Sequence, residues 1–172
     1  MGRGNARDPF VENGYYHIYN RGYNKSVIFN NKDCFVKFYK YLIALINEYK
    51  DIKVVSYCLL PNHFHFIIHN NGGTGTQISM FMKRLQGAYS VWHRTKYPLE
   101  NKLPFFEGRF KAKYIGDEAY LYQCIAYVNF NPLKHQLVKD IKDYPYTSYH
   151  QLTTEKEKVN QYKDMILDEL EF

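Results

Sequence analysis

Cysteine is scarce in this sequence, and the few cysteines lie far apart. Only Cys34, Cys58 and Cys124 occur in the 172 residues, and no two of them form a CxxC pair. A zinc knuckle built from such pairs is therefore excluded. An odd and sparse set of thiols is typical of proteins from a reducing compartment, not of small disulfide-stapled domains.

Long apolar runs are also missing. No run approaches the roughly 20 apolar residues of a membrane helix. The first eight residues, MGRGNARD, contain no apolar core of the kind that a signal peptide needs. We therefore expect a cytoplasmic protein with no membrane partner.

Acidic residues are deficient in one segment, 81–115. It contains eight basic residues, opposed only by Glu100 and Glu107. The net charge of the whole chain is also +6, so the other residues sum to zero. A basic segment in an otherwise neutral chain predicts a polyanionic partner, nucleic acid above all.

Aromatic residues, in contrast, are abundant. The chain has 18 Tyr, 12 Phe and one Trp, which together make 18% of its residues. Most of these rings are expected to fill the core. Unpaired bases also stack on aromatic rings, so the composition favours single strands among nucleic acids.

The order of predicted elements is βαββαβα. Strands are predicted over 15–19, 52–60, 63–70 and 109–115, and helices over 32–50, 77–96, 117–130 and 155–172. This order predicts an α+β fold in which an antiparallel sheet carries helices on one face, with a ferredoxin-like βαββαβ core.

One domain is expected to fill most of the chain. We interpret 1–13 as a flexible arm, 14–150 as the domain and 151–172 as an acidic C-terminal helix. Pro132 is predicted to end the third helix, because the residue before a proline is disfavoured in helical conformation. Asn131 would then lie at or just past the last turn.

The sharpest local motif is the pair His63 and His65. On a strand the two side chains point to one face, and their Cα atoms are about 6.6 Å apart. That spacing suits two imidazoles that bind one metal ion, while Phe64 and Phe66 would face the core.

A third metal ligand has to come from elsewhere in the sequence. By residue type, Glu107, Asp117 and Glu118 are candidates. A more specific one is Asn131, which is four residues after Tyr127 and so shares its helix face. A tyrosine and an amide placed in this way present a phenol and a metal-binding oxygen together.

These residues belong to a series of motifs that resembles the HUH single-tyrosine transposases, in particular their REP-associated tyrosine transposase branch. The similar blocks follow in order along the chain: Tyr16-His17-Ile18 with Asn20-Arg21-Gly22, Leu60-Pro61-Asn62-His63-Phe64-His65, Phe81-Met82-Lys83-Arg84, Phe106-Glu107-Gly108-Arg109-Phe110, Ala119-Tyr120-Leu121, Tyr127-Val128-Asn129-Phe130-Asn131-Pro132-Leu133 and Tyr144-Pro145-Tyr146-Thr147-Ser148-Tyr149. The departures are Phe106 and Tyr146 for tryptophan, and Lys134-His135 for the usual Arg-Ala.

The resemblance implies a role for each matched residue. His63, His65 and Asn131 would bind a divalent cation, Mg²⁺ or Mn²⁺, and Tyr127 would be the catalytic nucleophile. Attack by the tyrosine on a DNA phosphodiester would give a 5′-phosphotyrosine and a free 3′-OH, followed by strand rejoining. A cytoplasmic bacterial enzyme that works at the nucleoid is implied.

The implied partner is single-stranded DNA that forms hairpins. The candidate nucleic-acid-binding residues are Arg21, Lys83, Arg84, Arg109, Lys111 and Lys113. Phosphate contacts from such residues position a strand, and aromatic rings stack its unpaired bases.

Two other functions remain open from the residues. One is a binding module that holds structured single strands without cutting them, and the other is a metal-dependent phosphoesterase that uses water. The oligomeric state also remains open, because related insertion-sequence transposases exchange tyrosine helices in a homodimer while the REP-associated branch resembles a monomer.

Overall fold

The structure is a computed structural model that describes residues 10–98, 103–152 and 156–163. Its strands are β1 (Tyr15–Arg21), β2 (Ile52–Leu60), β3 (His63–Asn70) and β4 (Lys111–Ile115), and its α-helices are α1 (Lys32–Glu48), α2 (Gly75–Lys96), α3 (Glu118–Lys134) and α4 (Lys156–Asn160). None of these helices is long and apolar enough to cross a membrane.

The four strands form one antiparallel sheet in the order β2-β3-β1-β4. The predicted hairpin joins β2 and β3 at Pro61-Asn62. This order and connectivity are those of a ferredoxin-like βαββαβ unit. In the register of β1 with β3, Arg21 is opposite His63 and Tyr19 is opposite His65.

One face of the sheet is covered by α1 and α2. Ile18, Phe64 and Phe66 point to this face and are fully buried, together with Phe38 of α1 and Phe81 of α2. Burying a side chain of this size is worth about 1.5–3 kcal/mol, so this layer is the main core of the domain.

The other face of the sheet is covered by α3. Cys58, Leu60 and Ile67 point from the sheet into a second core, where Ile125 and Val128 of α3 meet them. The expectation that the helices share one face is thus met by α1 and α2 and is wrong for α3. The physical reason is that the second face of the sheet also carries apolar side chains, those of Cys58, Leu60 and Ile67, which need a cover.

Helix α3 continues past Pro132, so the predicted helix end is wrong. The helix runs to Lys134, and the backbone N–H of His135 donates to the carbonyl of Asn131 over 2.9 Å. Proline removes one backbone hydrogen bond and normally costs about 3 kcal/mol inside a helix. Here Phe130 and Pro132 are buried, and their packing holds the last turn in place.

A buried polar network attaches α3 to the sheet and to the segment after it. The Asn129 amide donates to Ser56 Oγ at 2.9 Å and accepts from Thr147 Oγ1 and Ser148 Oγ, each at 2.9 Å. Asn129 is fully buried, and both its oxygen and its nitrogen are bonded. The network therefore fixes the rotation of α3 against β2.

The predicted N-terminal arm is described only over 10–13. Phe10 packs edge-on against Tyr16 with ring centroids 4.8 Å apart, and it also lies near Phe110. Phe10 is therefore packed on the core, while 11–13 are exposed, and 1–9 lie outside the described residues.

The predicted C-terminal helix is described only in part. Helix α4 ends at Asn160 and a turn follows at 161–162. Val159 is fully buried in the core beneath α3. Glu155 and 164–172 lie outside the described residues.

Candidate active site

The two histidines of the HxH motif share one face of β3, as predicted. They point to the face that α3 covers, while Phe64 and Phe66 are buried on the opposite face. The ring centroids of His63 and His65 are 5.1 Å apart, with the ring planes nearly perpendicular. The pair is placed centrally, because β3 is an inner strand of the sheet.

Each of the two imidazoles is held through its Nδ1 atom. His63 Nδ1 is 2.6 Å from Asn62 Oδ1, and His65 Nδ1 is 2.9 Å from Nε2 of His17. The Nε2 atoms of His63 and His65 are thereby left as the nitrogens that can meet a ligand.

The ring of Tyr127 lies beside this pair. Its centroid is 5.6 Å from the ring of His65 and 5.7 Å from the ring of His17, edge-on in both cases. All of these residues come from a single chain, so one chain brings the tyrosine helix to its own histidine pair.

Asn131 faces the histidine pair from the last turn of α3. Tyr127, one turn earlier, contacts His65, while His135, one turn later, has its ring centroid 5.2 Å from that of His63. Residues four apart share a helix face, so Asn131 lies between these two contacts and opposite the pair.

The amide oxygen of Asn131 is available to bind a ligand. Asn131 is fully buried, and its Nδ2 donates to the Tyr127 carbonyl at 3.0 Å. Its Oδ1 is buried and makes no hydrogen bond to any residue that the structure describes. An unsatisfied buried acceptor costs about 1–3 kcal/mol, which a bound cation would offset.

The two histidines are uncharged at neutral pH. Burial lowers the pKa of His63 to about 4, and His135 and Arg21 add to the effect. Burial also moves the pKa of His65 well below its usual value, with His17 contributing next. Neutral imidazoles keep the lone pair that a metal ion requires.

The three carboxylate residues that were candidate metal ligands have other positions and contacts in the structure. Glu107 forms an exposed ion pair with the guanidinium of Arg21, whose hydrogen bond lowers the pKa of that carboxyl. Asp117 caps α3 by accepting from the backbone N–H of Tyr120 at 2.8 Å. Glu118 begins the same helix, in its first turn.

Carboxylate, thiolate and imidazole donors alone do not form a metal centre. In the described ranges, no group of three or more His, Cys, Asp or Glu side chains could hold a metal ion. A cation at this site therefore needs a donor of another kind, and the Asn131 amide oxygen suits it.

Only some of the basic residues that were predicted to bind DNA lie near the histidine pair. Lys111 and Lys113 on β4 are opposite Tyr19 and His17, and so extend from the histidine face of the sheet. Arg21 lies opposite His63 in the register. These three side chains are exposed and place positive charge beside the site.

The remaining predicted cations are placed elsewhere. Lys83 and Arg84 are on α2, which covers the opposite face, and Arg84 forms an ion pair with Glu48. Arg109 is exposed and precedes β4 instead of belonging to it. The structure thus does not bring Lys83 and Arg84 to the histidine pair.

Three site residues were missed in the sequence. His17 lies in the first motif block, but only the pairing of β1 with β3 reveals its contact with His65. Lys134 Nζ lies 5.2 Å from the ring centroid of Tyr127, and His135 contacts His63. The signal for Lys134 and His135 was their spacing from Tyr127, which becomes readable once α3 is known to continue past Pro132.

Comparison with known proteins decides the family. The family model described as "Transposase IS200 like" matches residues 10–131, a range that includes the histidine pair, Tyr127 and Asn131. The chain belongs to the IS200-like transposase family. This confirms the predicted class of enzyme, a tyrosine transposase, and the family generally uses a divalent metal ion.

A curated relative agrees with this assignment. The chain is 25% identical over 127 residues to a Haemophilus influenzae protein named as a candidate REP-associated tyrosine transposase. The match covers 64% of this chain and 72% of the relative.

Solved structures agree on the fold. A REP-associated tyrosine transposase bound to a REP hairpin matches with a TM-score of 0.61 at 19% identity, over 86% of this chain and 84% of the other. The tRNA(His) guanylyltransferase of Saccharomyces cerevisiae matches with a TM-score of 0.50 at 11% identity, over 92% of this chain and 74% of the other. The first likeness confirms the predicted fold class, and the second is one of fold alone.

Proposed function

We propose that this transposase cuts and rejoins single-stranded DNA through a covalent bond to Tyr127. The observation that carries the proposal is the meeting of Tyr127 with His65 at 5.6 Å between ring centroids, with Asn131 one helical turn further on. Family membership supports the class of reaction, and this geometry supports the choice of residues.

The proposed step is an exchange at phosphorus. The Tyr127 phenolic oxygen forms a bond to the phosphorus atom as the bond from phosphorus to the 3′-oxygen breaks. The phenolic proton leaves to solvent and the 3′-oxygen gains one, so the products are a 5′-phosphotyrosine and a 3′-OH. The new bond conserves the energy of the broken one, so a 3′-OH can reverse the step without ATP.

His63, His65 and Asn131 would hold a divalent cation, Mg²⁺ or Mn²⁺. Two neutral imidazoles and a neutral amide leave the whole double charge of such an ion unneutralised, and this charge would counter that of the phosphoryl oxygens. The orphaned Asn131 oxygen and the engaged Nδ1 atoms of both histidines support this donor set.

Lys134 is a further candidate at the reacting group. Its Nζ lies 5.2 Å from the Tyr127 ring centroid, and an ammonium at that distance stabilises negative charge on the phenol or on the attacked phosphate.

The proposed substrate is a single strand next to a hairpin. A solved neighbour is described as bound to a REP hairpin. On this chain Arg21, Lys111 and Lys113 form an exposed basic rim beside the histidine pair, which suits phosphate contacts.

The proposal is tested with labelled oligonucleotides taken from the DNA that flanks the gene. The protein is incubated with them and with Mn²⁺ or Mg²⁺, and a denaturant-resistant adduct is sought on a gel. We expect an adduct that needs the metal and that Tyr127→Phe abolishes while DNA binding survives. An adduct that persists in Tyr127→Phe would refute the nucleophile, and turnover without an adduct would indicate a water-using phosphoesterase.

A further inference from the structure

His17 makes the closest polar contact with the histidine pair. It lies on β1, next to β3, and its Nε2 is 2.9 Å from Nδ1 of His65. The two ring centroids are 5.1 Å apart, and the ring planes differ by 26°. At this distance the two nitrogens share one hydrogen, so one ring donates and the other accepts.

The direction of this hydrogen bond decides what His65 can do. If His17 donates, His65 accepts at Nδ1 and carries its own hydrogen on Nε2, which then has no lone pair for a metal. If His65 donates from Nδ1, its Nε2 keeps the lone pair. Only the second arrangement leaves the Nε2 of His65 able to bind a cation.

The neighbouring histidine has the same arrangement with a partner whose role is unambiguous. Asn62 Nδ2 donates to the carbonyl of Lys25 at 3.3 Å, so Oδ1 is the amide atom 2.6 Å from His63 Nδ1. An amide oxygen only accepts, and His63 therefore donates from Nδ1. Both His63 and His65 thus have a hydrogen-bond partner at Nδ1.

His17 itself suits the role of an acceptor. An imidazole with one ring hydrogen carries a lone pair on its other nitrogen, so the Nε2 of His17 can accept a hydrogen bond. The ring is also fixed in place by Tyr19, at 5.1 Å between centroids, and by Tyr127, at 5.7 Å.

We propose that His17 is a positioning residue that accepts the Nδ1 hydrogen of His65, and so holds the Nε2 lone pair of His65 ready for a divalent cation. This inference rests on the proposed role of His65 as a metal ligand. His17 acts through His65 and does not bind the cation itself.

Two substitutions at His17 distinguish a role as hydrogen-bond acceptor from a role in packing alone. His17→Leu fills the space without an acceptor, while the Oε1 of His17→Gln falls close to the place of the imidazole Nε2. We expect His17→Leu to weaken Mn²⁺ binding by roughly 10–100-fold in calorimetric titration, the usual effect of losing an outer-shell partner. His17→Gln should bind Mn²⁺ nearly as well as the wild type.

A matched control exists on the same face of β3. His69 stacks on Tyr15, with ring centroids 4.2 Å apart, and belongs to no part of the proposed site. His69→Leu should therefore leave Mn²⁺ affinity unchanged. An equal loss in His69→Leu and His17→Leu would overturn the proposal, because the loss would then be general.

The position of the hydrogen can be observed without any metal. In ¹⁵N-histidine NMR spectra of the metal-free wild type, we expect His65 to be protonated at Nδ1 and unprotonated at Nε2. His17→Gln should keep this tautomer, and His17→Leu should give a mixture. A wild-type His65 with its hydrogen on Nε2 overturns the proposal, and this spectrum decides the matter even if His17→Leu folds poorly.

The remaining outcomes separate this inference from the proposed function. Wild-type Mn²⁺ affinity in His17→Leu, or a loss in His17→Gln as large as in His17→Leu, overturns the acceptor role while the Tyr127 adduct still forms. Unchanged Mn²⁺ binding in His65→Ala refutes the ligand assignment itself.

Discussion

The ring of Tyr127 on α3 lies 5.6 Å from the ring of His65 on β3, measured between centroids, and both residues belong to one chain. The helix with the proposed nucleophile therefore packs on the sheet face that carries the histidine pair of the same chain. The Asn129 network and the second core hold it there. A single chain contains every residue assigned to the proposed reaction.

A complete site in each chain predicts that two inactive variants cannot restore one another. Tyr127→Phe keeps the histidines, and His63→Ala keeps the tyrosine. If the helices were exchanged between subunits, a mixture would contain some intact sites. We expect adduct formation by the mixture to stay at the background of either variant alone. Recovery toward a quarter or a half of wild-type yield would contradict the arrangement within one chain.

Asn131 is predicted to matter for metal binding and little for stability. Asn131→Leu removes the unsatisfied Oδ1 and also the bond from Nδ2 to the Tyr127 carbonyl. These effects oppose each other, so the free energy of unfolding should change by no more than about 1 kcal/mol in urea titrations without metal. Mn²⁺ affinity should fall at least about tenfold.

Asn131→Asp serves as the matched variant, since it keeps an oxygen at the same place. It should bind Mn²⁺ at least as tightly as the wild type. Equal Mn²⁺ affinity for Asn131→Leu and wild type would remove Asn131 from the donor set.

Asn129 is predicted to matter for stability. Asn129→Ala leaves the buried hydroxyls of Ser56, Thr147 and Ser148 without their shared amide. Ser56 and Ser148 still contact each other, and Thr147 still donates to the Tyr57 carbonyl. The full cost of about 1–3 kcal/mol per unsatisfied group therefore does not apply to all three, and we expect a loss of about 2–4 kcal/mol in urea unfolding. Asn47 is exposed on α1, and Asn47→Ala should change stability by less than about 0.5 kcal/mol. Similar values for the two variants would show that the network contributes nothing.

The two basic surfaces are predicted to differ in DNA binding. Lys111 and Lys113 extend from the face of the histidine pair, while Lys83 and Arg84 lie on the layer over the opposite face. In a Tyr127→Phe background, Lys111→Gln with Lys113→Gln should weaken binding of a hairpin-flanked single strand. A plot of log affinity against log salt concentration has a negative slope. Its magnitude should decrease by about 1.4, at about 0.7 per lost phosphate contact.

Lys83→Gln with Arg84→Gln removes the same amount of charge and is the matched control. Fluorescence anisotropy over a range of salt concentrations should give a slope close to the wild-type slope. A larger drop for this pair than for Lys111 and Lys113 would place the DNA across α2 instead.

Local patterns in the sequence were sufficient for the strands and for the HxH geometry. The alternation of histidine and phenylalanine over 63–66 predicts which side chains share a face, because side chains alternate strictly along a strand. The order of elements likewise predicted the ferredoxin-like sheet. These features depend on neighbours in sequence, or on rules of connection that hold for most folds.

Features that depend on tertiary packing could not be predicted in this way. The local cost of Pro132 argues for a helix end, and only burial of the surrounding apolar residues shows why α3 continues to Lys134. His135 therefore stood outside the predicted helix, and its approach to His63 was hidden. His17 and His65 are 48 residues apart in the sequence and lie on different strands, and no pattern within either strand predicts their contact.

The attachment of α3 on two sides has a consequence for the order of events on the DNA. Tyr127 is carried by a helix whose buried residues and Asn129 network secure it to the sheet. In the proposed reaction the 5′ end, bound covalently to Tyr127, would stay at the place where the strand was cut. In that reaction the exchange of strands would depend on movement of the free 3′ ends of the DNA.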